Sequence, residues 1–273
     1  MSAAAPFDLT DRVAVVTGGT GVLGGAMAHA LAGAGARVAV LGRRADVADR
    51  VARDLTDAGG QALALPADVL DAGALEGAAA TLEATWGPAD VLVNAAGGNR
   101  ADALVHGDAT LFDLDPDAFR AVVDLNLTGT LMPTQAFARG MADRGRGSVV
   151  NVSSMAAQKP LTRVIGYAAA KAGVDNLTQW LATYAATTWG PGVRVNAVAP
   201  GFFLGEQNRA LLTEADGTPT PRGRQILEHT PMGRFGDPGD LAGTLLWLAS
   251  DASAFVTGVV VPVDGGYAAF GGV

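Results

Sequence analysis

The sequence contains no cysteine and only three histidines among its 273 residues. The absence of cysteine excludes disulfide bonds, thiolate catalysis and metal sites built on cysteine. His29, His106 and His229 are scattered along the chain, and the carboxylates near them do not have the spacing of metal ligands. We therefore predict a protein without a bound metal.

Positive charge is also scarce, and long apolar runs are lacking. The formal net charge is -8 and the pI is about 4.8, which argues against sequence-independent binding to nucleic acid or to an anionic membrane surface. The first residues, MSAAAPFDLTDR, have neither the basic region nor the apolar core of a signal peptide, and no later run is long enough to span a bilayer. These features predict a cytoplasmic protein whose partner is a small molecule.

The sequence does contain a regular alternation of short β-branched runs and alanine-rich segments with helical periodicity. The predicted strands are VAVVTG, RVAVLG, QALALPADV, ADVLVNAAG, GSVVNVSS, VRVNAVAPG and GVVVPVDGG. Helices are predicted at Gly25–Gly35, Ala45–Ala58, Pro116–Met141 and Gly166–Trp189. This alternation predicts an α/β fold of Rossmann type, a doubly wound, seven-stranded parallel sheet with helices on both faces.

Nothing in the sequence resembles a linker or an internal repeat. With 49% hydrophobic residues, the chain is long enough to build one large core. We predict a single domain over residues 1–273, in which the glycine- and proline-rich segment 201–238 is an insertion above the sheet.

A glycine-rich loop, VTGGTGVLGG, joins the first predicted strand to the first helix. Backbone N–H groups at a helix amino terminus bind a pyrophosphate, and glycine allows the ligand to approach closely. The same glycines also suit a tight turn with close helix–strand packing. The loop alone leaves both interpretations open.

Ser154, Tyr167 and Lys171 form the pattern S-x12-Y-x3-K. The Tyr–Lys spacing puts both side chains on one face of a helix, where an ammonium favours the phenolate and lowers the pKa of the phenol. Tyr167 could then act as a general acid–base, while Ser154 holds a substrate oxygen. The alternative is an ordinary half-buried tyrosine beside a solvated lysine.

These motifs, in this order, resemble the short-chain dehydrogenase/reductases over nearly the whole chain. The matching segments are VAVVTGGTGVLG, DVLVNAAG, LNLTGT, VNVSS, YAAAK, RVNAVAPG and TGVVVPVDGGY. The resemblance implies an NAD(P)-dependent oxidoreductase whose catalytic tetrad is Asn126, Ser154, Tyr167 and Lys171. In such a tetrad Asn126 helps to hold a water that connects the lysine to a proton relay, although on its own this amide would suit a helix kink or cap.

The resemblance also extends to the nucleotide site, where segments beside the fourth strand, the adenine and the nicotinamide are matched. The predicted cofactor-binding residues are Gly18, Thr20, Gly21, Leu23, Gly24, Arg43, Arg44, Asp68, Val69, Asn94, Ala95, Gly97, Tyr167, Lys171, Pro200 and Gly201. Two positions depart from the family pattern. Val22 replaces the middle glycine of the loop, and Gly205 stands where a threonine often bonds the carboxamide.

Further segments resemble the branch of the family that interconverts D-mannonate and D-fructuronate. They include DLNLTGTLMPTQAFA, APGFFLGEQNRALL and HTPMGRFG. A sugar acid needs a cation and several amide or hydroxyl partners. The candidates on loops after strands are Asn99, Arg100, Gln207, Asn208 and Arg209, and each of them would also suit a solvated loop.

The end of the second predicted strand bears on the choice of cofactor. An NAD enzyme of this fold usually has an acidic residue there to bind the ribose 2′-hydroxyl, but this chain has Gly42, followed by Arg43 and Arg44. Guanidinium groups suit a 2′-phosphate in charge and geometry. We predict a preference for NADP, with NAD possible. The alternative is a solvated turn in which Asp46 neutralises one arginine.

Other functions remain open at this stage. A reductase of another ketone or of a 3-oxoacyl thioester would have the same fold, and so would a non-catalytic dinucleotide-binding sensor. The family resemblance, two long apolar-rich helices and the apolar tail VTGVVVPVDGGYAAFGGV also predict a homotetramer.

Overall fold

The computed structural model describes residues 7–205 and 209–272. Its strands are β1 (Val13–Thr17), β2 (Arg37–Gly42), β3 (Gln61–Pro66), β4 (Val91–Asn94), β5 (Arg146–Val152), β6 (Gly192–Pro200) and β7 (Val260–Val263). They form a sheet in the order β3-β2-β1-β4-β5-β6-β7, with every neighbouring pair parallel. The predicted α/β fold and seven-stranded parallel sheet are confirmed.

Helices pack on both faces of this sheet. They are α1 (Val22–Gly33), α2 (Ala45–Asp57), α3 (Ala72–Trp86), α4 (Pro116–Val123), α5 (Gly129–Phe137), α6 (Arg139–Arg144), α7 (Ile165–Tyr184), α8 (Arg209–Leu212), α9 (Pro221–Glu228) and α10 (Ala242–Ala249). Along β1, Ala14 and Val16 pack with α1 and α10, whereas Val13 and Val15 pack with α3, α5 and α7. Burial on both faces is the reason the strands are almost continuous apolar runs.

The prediction of one continuous helix over Pro116–Met141 is wrong. α4 is followed by a π-helical turn at Asp124–Thr128, then by α5 and α6. Inside the π-helical turn, Asn126 Nδ2 donates to the Val122 carbonyl at 2.8 Å, and Pro133 removes one backbone donor from α5. A side-chain amide that bonds the backbone in this way accommodates the wider turn, a feature frequent at functional sites.

Four buried polar side chains connect two strands with the two helices that cover them. Asn94 Nδ2, at the end of β4, donates to Thr134 Oγ1 of α5 and to Asn151 Oδ1 of β5, both at 2.9 Å. Asn151 Nδ2 in turn donates to Thr178 Oγ1 of α7 at 2.9 Å. We call these four residues the buried polar chain. It fixes the position of α7 relative to the carboxyl ends of β4 and β5.

The carboxyl ends of the central strands meet at one edge of the sheet. Thr17 lies opposite Leu41 of β2 and Asn94 of β4, and its hydroxyl oxygen accepts from the backbone N–H groups of Ala95 and Ala96, each at 3.1 Å. The strand order runs in opposite directions from β1 and from β4. Ligands of open α/β sheets bind in the crevice at such a reversal.

Candidate functional site

The glycine-rich loop between β1 and α1 is closely packed. Gly18 has a φ of +63°, and a Cβ there would lie 2.7 Å from the Ala95 carbonyl oxygen. A Cβ at Gly24 would lie 2.2 Å from the Gly18 carbonyl oxygen. Both positions therefore require glycine, because an alanine methyl group would overlap backbone atoms.

The departure at Val22 does not disturb this loop. Val22 is the first residue of α1, three positions before the predicted start, and its side chain is 41% exposed. The close approaches occur instead at Gly18 and Gly24. Val22 lines the cavity described next and is not among the atoms that approach Gly18 and Gly24 closely.

A cavity of about 1060 Å³ lies above this loop and the carboxyl ends of the strands. Most of the predicted cofactor-binding residues line it, namely Gly18, Thr20, Gly21, Leu23, Gly24, Arg43, Arg44, Val69, Ala95, Gly97, Tyr167, Lys171, Pro200 and Gly201. The wall also contains residues that sequence reasoning missed, among them Leu125, Ser153, Phe202 and Phe203. Their only signal in the sequence is proximity to the predicted motifs.

Asp68 and Asn94 do not line the cavity. Asn94 is buried in the polar chain described above. One oxygen of Asp68 accepts from the backbone N–H of Leu70 at 3.0 Å, and the other lies 3.8 Å from Arg43 Nη1. Asp68 therefore borders the site through Arg43, while Asn94 supports it from below.

The cavity has the features that a dinucleotide requires. The first turn of α1 carries no acidic side chain, so its free backbone N–H groups favour an anion. Gly18 and Gly24 leave room for a phosphate to approach the backbone. The residues present therefore fit a nicotinamide dinucleotide.

Ser154, Tyr167 and Lys171 meet at one side of this cavity. The ammonium of Lys171 is 5.6 Å from the centroid of the Tyr167 ring and donates to the Val152 carbonyl at 2.7 Å. Tyr167 also forms a hydrogen bond with Ser154. α7 supplies the tyrosine and the lysine on one face, as the spacing predicts, and the segment after β5 supplies the serine.

Burial dominates the electrostatics of this cluster. Burial raises the pKa of the Tyr167 hydroxyl above its ordinary value, and the hydrogen bond with Ser154 only partly opposes this effect. Burial likewise lowers the pKa of Lys171 to about 8, against the opposing charge of Asp175. The net direction for Tyr167 is therefore opposite to the one expected from the Tyr–Lys spacing alone, because desolvation disfavours the phenolate.

Asn126 lies behind the cavity wall and is fully buried. Its Oδ1 accepts from the Gly98 N–H at 3.1 Å, and its Nδ2 donates to the Gly98 carbonyl at 2.7 Å. A Cβ at Gly97 would lie 2.7 Å from Asn126 Oδ1 and 3.3 Å from Lys171 Nζ. The amide thus supports a helix distortion and also reaches the neighbourhood of the lysine, so both sequence interpretations describe part of its environment.

Sequence reasoning missed a polar pair on the far side of Lys171. The Ser153 hydroxyl donates to Asp175 Oδ1 and also lies 3.5 Å from the Lys171 carbonyl oxygen. Burial raises the pKa of Asp175, while the hydrogen bond from Ser153 and the charge of Lys171 oppose that rise. The i, i+4 spacing of Lys171 and Asp175 on α7 was the available signal.

Of the predicted substrate residues that the structure describes, Asn99, Arg100 and Arg209, none lines the cavity. Arg100 forms an ion pair with Asp102 at 2.6 Å, and Asn99 Oδ1 accepts from the backbone N–H of Arg100. Arg209 begins the short helix α8. Gln207 and Asn208 lie outside the described residues. Gly205, the position of the family's usual threonine, does line the cavity.

No cluster of three or more His, Asp or Glu side chains suited to a metal ion occurs in residues 7–205 and 209–272. Within the same ranges, no helix combines the length and the apolar character needed to cross a membrane.

Known proteins are similar to this chain over almost its full length. A family model described as enoyl-(acyl carrier protein) reductase matches residues 20–268. An uncharacterised oxidoreductase of Bacillus subtilis, UxuB, is 46% identical over 97% of this chain and 98% of its own length. A solved structure from Haemophilus influenza, provisionally named a D-mannonate oxidoreductase and holding NAD, has a TM-score of 0.92 and 41% identity over 99% of both chains. A gluconate 5-dehydrogenase from Burkholderia cenocepacia, in complex with NADP and tartrate, has a TM-score of 0.87 and 34% identity over 98% of this chain and 99% of that one.

Four findings lead to one assignment: the parallel sheet, the glycine cradle formed by Gly18 and Gly24, the partly buried Tyr167 beside the buried Lys171, and the similarity along almost the full length of these relatives. The chain belongs to the short-chain dehydrogenase/reductase family and is an NAD(P)-dependent oxidoreductase.

Proposed function

We propose that this enzyme interconverts a secondary alcohol and a ketone of a sugar acid, of the D-mannonate/D-fructuronate type. The observation that carries the proposal is the Ser154–Tyr167–Lys171 cluster at the wall of a cavity that fits a dinucleotide. The similarity to a protein provisionally named D-mannonate oxidoreductase supports the substrate class. The tartrate bound by the Burkholderia relative is itself a hydroxy acid and also supports it.

The glycine cradle would hold the pyrophosphate of the cofactor. Backbone N–H groups at the start of α1 face the cavity, and Val69 lines the part near Arg43. Asp68 would act beside the adenine through its contact with Arg43, and Pro200 and Gly201 would wall the nicotinamide. The nicotinamide, when bound, accepts or supplies the hydride. The remaining task of the protein is to hold the substrate oxygen and to move its proton.

Tyr167 is the proposed general acid–base. Its raised pKa keeps the hydroxyl protonated at neutral pH, which suits the donation of a proton to a ketone oxygen during reduction. In oxidation the phenolate form of Tyr167, stabilised by the positive charge of Lys171, takes the proton of the substrate alcohol and returns to the neutral hydroxyl. Ser154 would hold the substrate oxygen, because its hydroxyl lies beside Tyr167 at the cavity wall.

Lys171 and Asn126 would complete the proton path. With a pKa of about 8, Lys171 can exchange protons near neutral pH. Asn126 is held in place by Gly98 and Val122. The side-chain Oδ1 of Asn126 and the ammonium of Lys171 both lie close to the point where a Cβ of Gly97 would be. The amide could therefore position a water that links Lys171 to solvent.

The test is a turnover screen with both nicotinamide cofactors against hexonates, ketohexuronates, simple ketones and 3-oxoacyl thioesters. We expect the highest kcat/KM on a hexonate or ketohexuronate. In Tyr167→Phe we expect kcat to fall by roughly 100-fold or more, with the nucleotide Kd unchanged. Near-normal kcat in this variant would remove Tyr167 from the mechanism, and turnover of simple ketones or thioesters alone would exclude the sugar-acid class. Binding of nucleotide without turnover of any substrate would favour a sensor.

We further propose a preference for NADP over NAD. Asp46 pairs with Arg50 at 3.7 Å, so its ion pair does not involve Arg43. A Cβ at Gly42 would lie 2.7 Å from Thr20 Cγ2 and 2.8 Å from Thr20 Oγ1, so an acidic side chain at this position would collide with Thr20. Arg43 is largely exposed and its contact with Asp68 is long, so it is free to turn toward a 2′-phosphate.

The ratio of kcat/KM for NADP and NAD tests this preference. We expect the wild type to favour NADP and Arg43→Ala to lose most of that preference. Arg50→Ala is the matched control, because Arg50 lies on α2 with an acidic partner. A wild type that prefers NAD, or an unchanged ratio in Arg43→Ala, would contradict the proposal.

We also propose that residues 201–238 cover the substrate as part of a single domain. Phe202 and Phe203, at the start of this segment, line the cavity. α8 and α9 follow in the same segment. The backbone near Gly205 would then make the carboxamide contact that a threonine makes in other members of the family.

A further inference from the structure

Polar contacts between β5 and α7 continue past the end of the strand. Asn151 and Ser153 lie two positions apart, as residues on one face of a strand do, and both side chains contact α7. Asn151 donates to Thr178, as described for the buried polar chain. The Ser153 hydroxyl donates to Asp175 Oδ1, about one turn nearer the start of the helix. The backbone N–H of Ser153 donates to the Val198 carbonyl of β6 at 2.8 Å, so Ser153 is held between β6 and α7.

Asp175 extends a row of side chains on α7 that begins with the proposed general acid–base. Tyr167, Lys171 and Asp175 follow one another at intervals of four residues, so they lie along one face of the helix. The Ser153 hydroxyl also lies 3.5 Å from the Lys171 carbonyl oxygen. In the part of the chain that the structure describes, no ion pair joins Lys171 to Asp175. The carboxylate therefore contacts the site through Ser153.

Ser153 stands between two residues that contact the reacting groups. The carbonyl of Val152 accepts from Lys171 Nζ at 2.7 Å, and Ser154 lines the cavity together with Tyr167. The backbone has only two soft dihedral angles at each residue. A rotation about either of them at Ser153 would change how the Val152 carbonyl and the Ser154 hydroxyl are directed relative to each other. A bond that fixes the Ser153 side chain therefore restricts both neighbours.

We propose that Ser153 and Asp175 are positioning residues that direct the Val152 carbonyl and the Ser154 hydroxyl toward α7. The inference rests on the proposed mechanism and applies to any substrate class. A hydrogen bond to a carboxylate is stronger than one between neutral groups, and Ser153 is only 1% exposed, so water does not readily replace Asp175. A displacement of the reacting groups by about 1 Å can lower the rate by about 100-fold, so the loss of this bond is expected to slow catalysis.

The test measures ketone reduction at about pH 6.5, where the Lys171 ammonium predominates because its pKa is about 8. The substrate is the one with the highest kcat/KM in the turnover screen. Ser153→Ala and Asp175→Leu should each lower kcat by about 10- to 100-fold, while the nucleotide Kd stays within about twofold. The double variant should be no slower than the slower single variant, because both substitutions remove the same bond.

Two further variants separate positioning from stability. Asp175→Asn keeps a side-chain oxygen that can accept from the Ser153 hydroxyl, so it should keep kcat within about threefold of the wild type. Ser148→Ala is the matched control, because Ser148 is buried in β5 and its hydroxyl donates to the Leu248 carbonyl at 2.8 Å. Ser148→Ala should lower the urea unfolding midpoint by an amount similar to Ser153→Ala and leave kcat unchanged.

The outcomes distinguish positioning from packing. The proposal is wrong if Ser153→Ala keeps the kcat of the wild type, if Ser148→Ala is equally slow, or if Asp175→Asn is as slow as Asp175→Leu. Losses that multiply in the double variant would show that the two side chains act separately, and would also overturn it. If Asp175→Leu does not bind nucleotide, Ser153→Ala decides alone, because it removes a single oxygen atom. Near-normal kcat in Tyr167→Phe would instead overturn the proposed mechanism, so the two failures are distinguishable.

Discussion

Lys171 should make the stability of the enzyme depend on pH in a defined window. Its pKa falls from 10.5 to about 8 because the ammonium is buried, a shift that corresponds to about 3 kcal/mol between the two protonation states. Between these values the unfolded chain binds a proton that the folded protein has lost, so stability rises with pH. The gain is fully present above pH 10.5 and is lost as the pH falls through about 8.

The measurement is urea unfolding of the wild type and of Lys171→Met from pH 7 to pH 10. From pH 8 to pH 10 we expect the wild type to gain about 2 kcal/mol relative to the variant. Measurements stop at pH 10 because the raised pKa of Tyr167 gives the opposite slope above that value. Methionine preserves the length of the side chain while it removes the charge and the hydrogen bond to Val152.

The sequence offers a matched control, because Lys159 is the only other lysine and its side chain is exposed. Lys159→Met should keep the rise seen in the wild type. In protein labelled with ¹³C at the lysine ε-carbon, the resonance that disappears in Lys171→Met should titrate with a midpoint of about 8. Parallel stability curves for the wild type and Lys171→Met, or a midpoint near 10.5, would refute the argument from burial.

Three further predictions concern the loop, the polar pair and the assembly. Gly24→Ala should weaken nucleotide binding by at least about tenfold, because its methyl group would lie 2.2 Å from the Gly18 carbonyl oxygen. Gly25→Ala should leave nucleotide binding unchanged, because its methyl group would make an ordinary 3.5 Å contact. Equal nucleotide Kd values for the two variants, measured by calorimetry, would contradict this prediction. Asp175→Asn should move the ¹³C midpoint of Lys171 below about 8, because the Asp175 charge now raises that pKa, and an unchanged midpoint would show that this charge has no effect. Light scattering at micromolar concentration should give a homotetramer, as expected from the family and from the exposed ring of Trp180 on α7, and a monomer mass would exclude it.

The sheet was predictable because its strands are buried on both faces. Such strands are short apolar runs separated by turn-forming residues, so their number and their order along the chain could be derived from the sequence. The ends of the strands were harder to predict, and β7 is shorter than the predicted segment GVVVPVDGG. The π-helical turn at Asp124–Thr128 was not predictable. It accompanies a hydrogen bond from the Asn126 side chain to the Val122 backbone carbonyl, and the spacing of apolar residues carries no information about such a bond.

The candidate site was predictable where motifs in the local sequence determine it. The glycine cradle and the Tyr167–Lys171 pair belong to this class, since a loop or a single helix face sets their geometry. The pKa of Tyr167 depends instead on burial by distant segments, so spacing alone gave the wrong direction. Arg100 looked suitable as a substrate residue in the sequence, but its guanidinium is paired with Asp102 in the structure.

The buried polar chain has a consequence for how this scaffold tolerates change. A displacement of α7 by one residue along its axis would take Thr178 out of reach of Asn151 and leave that amide without a partner in the core. An unmade bond of this kind costs about 1–3 kcal/mol, so sliding of the helix is opposed far from the reacting groups. Substitutions of Phe202 and Phe203, which line the cavity, can therefore change its shape while the tyrosine stays aligned, and libraries for altered substrate range are best begun at these two positions.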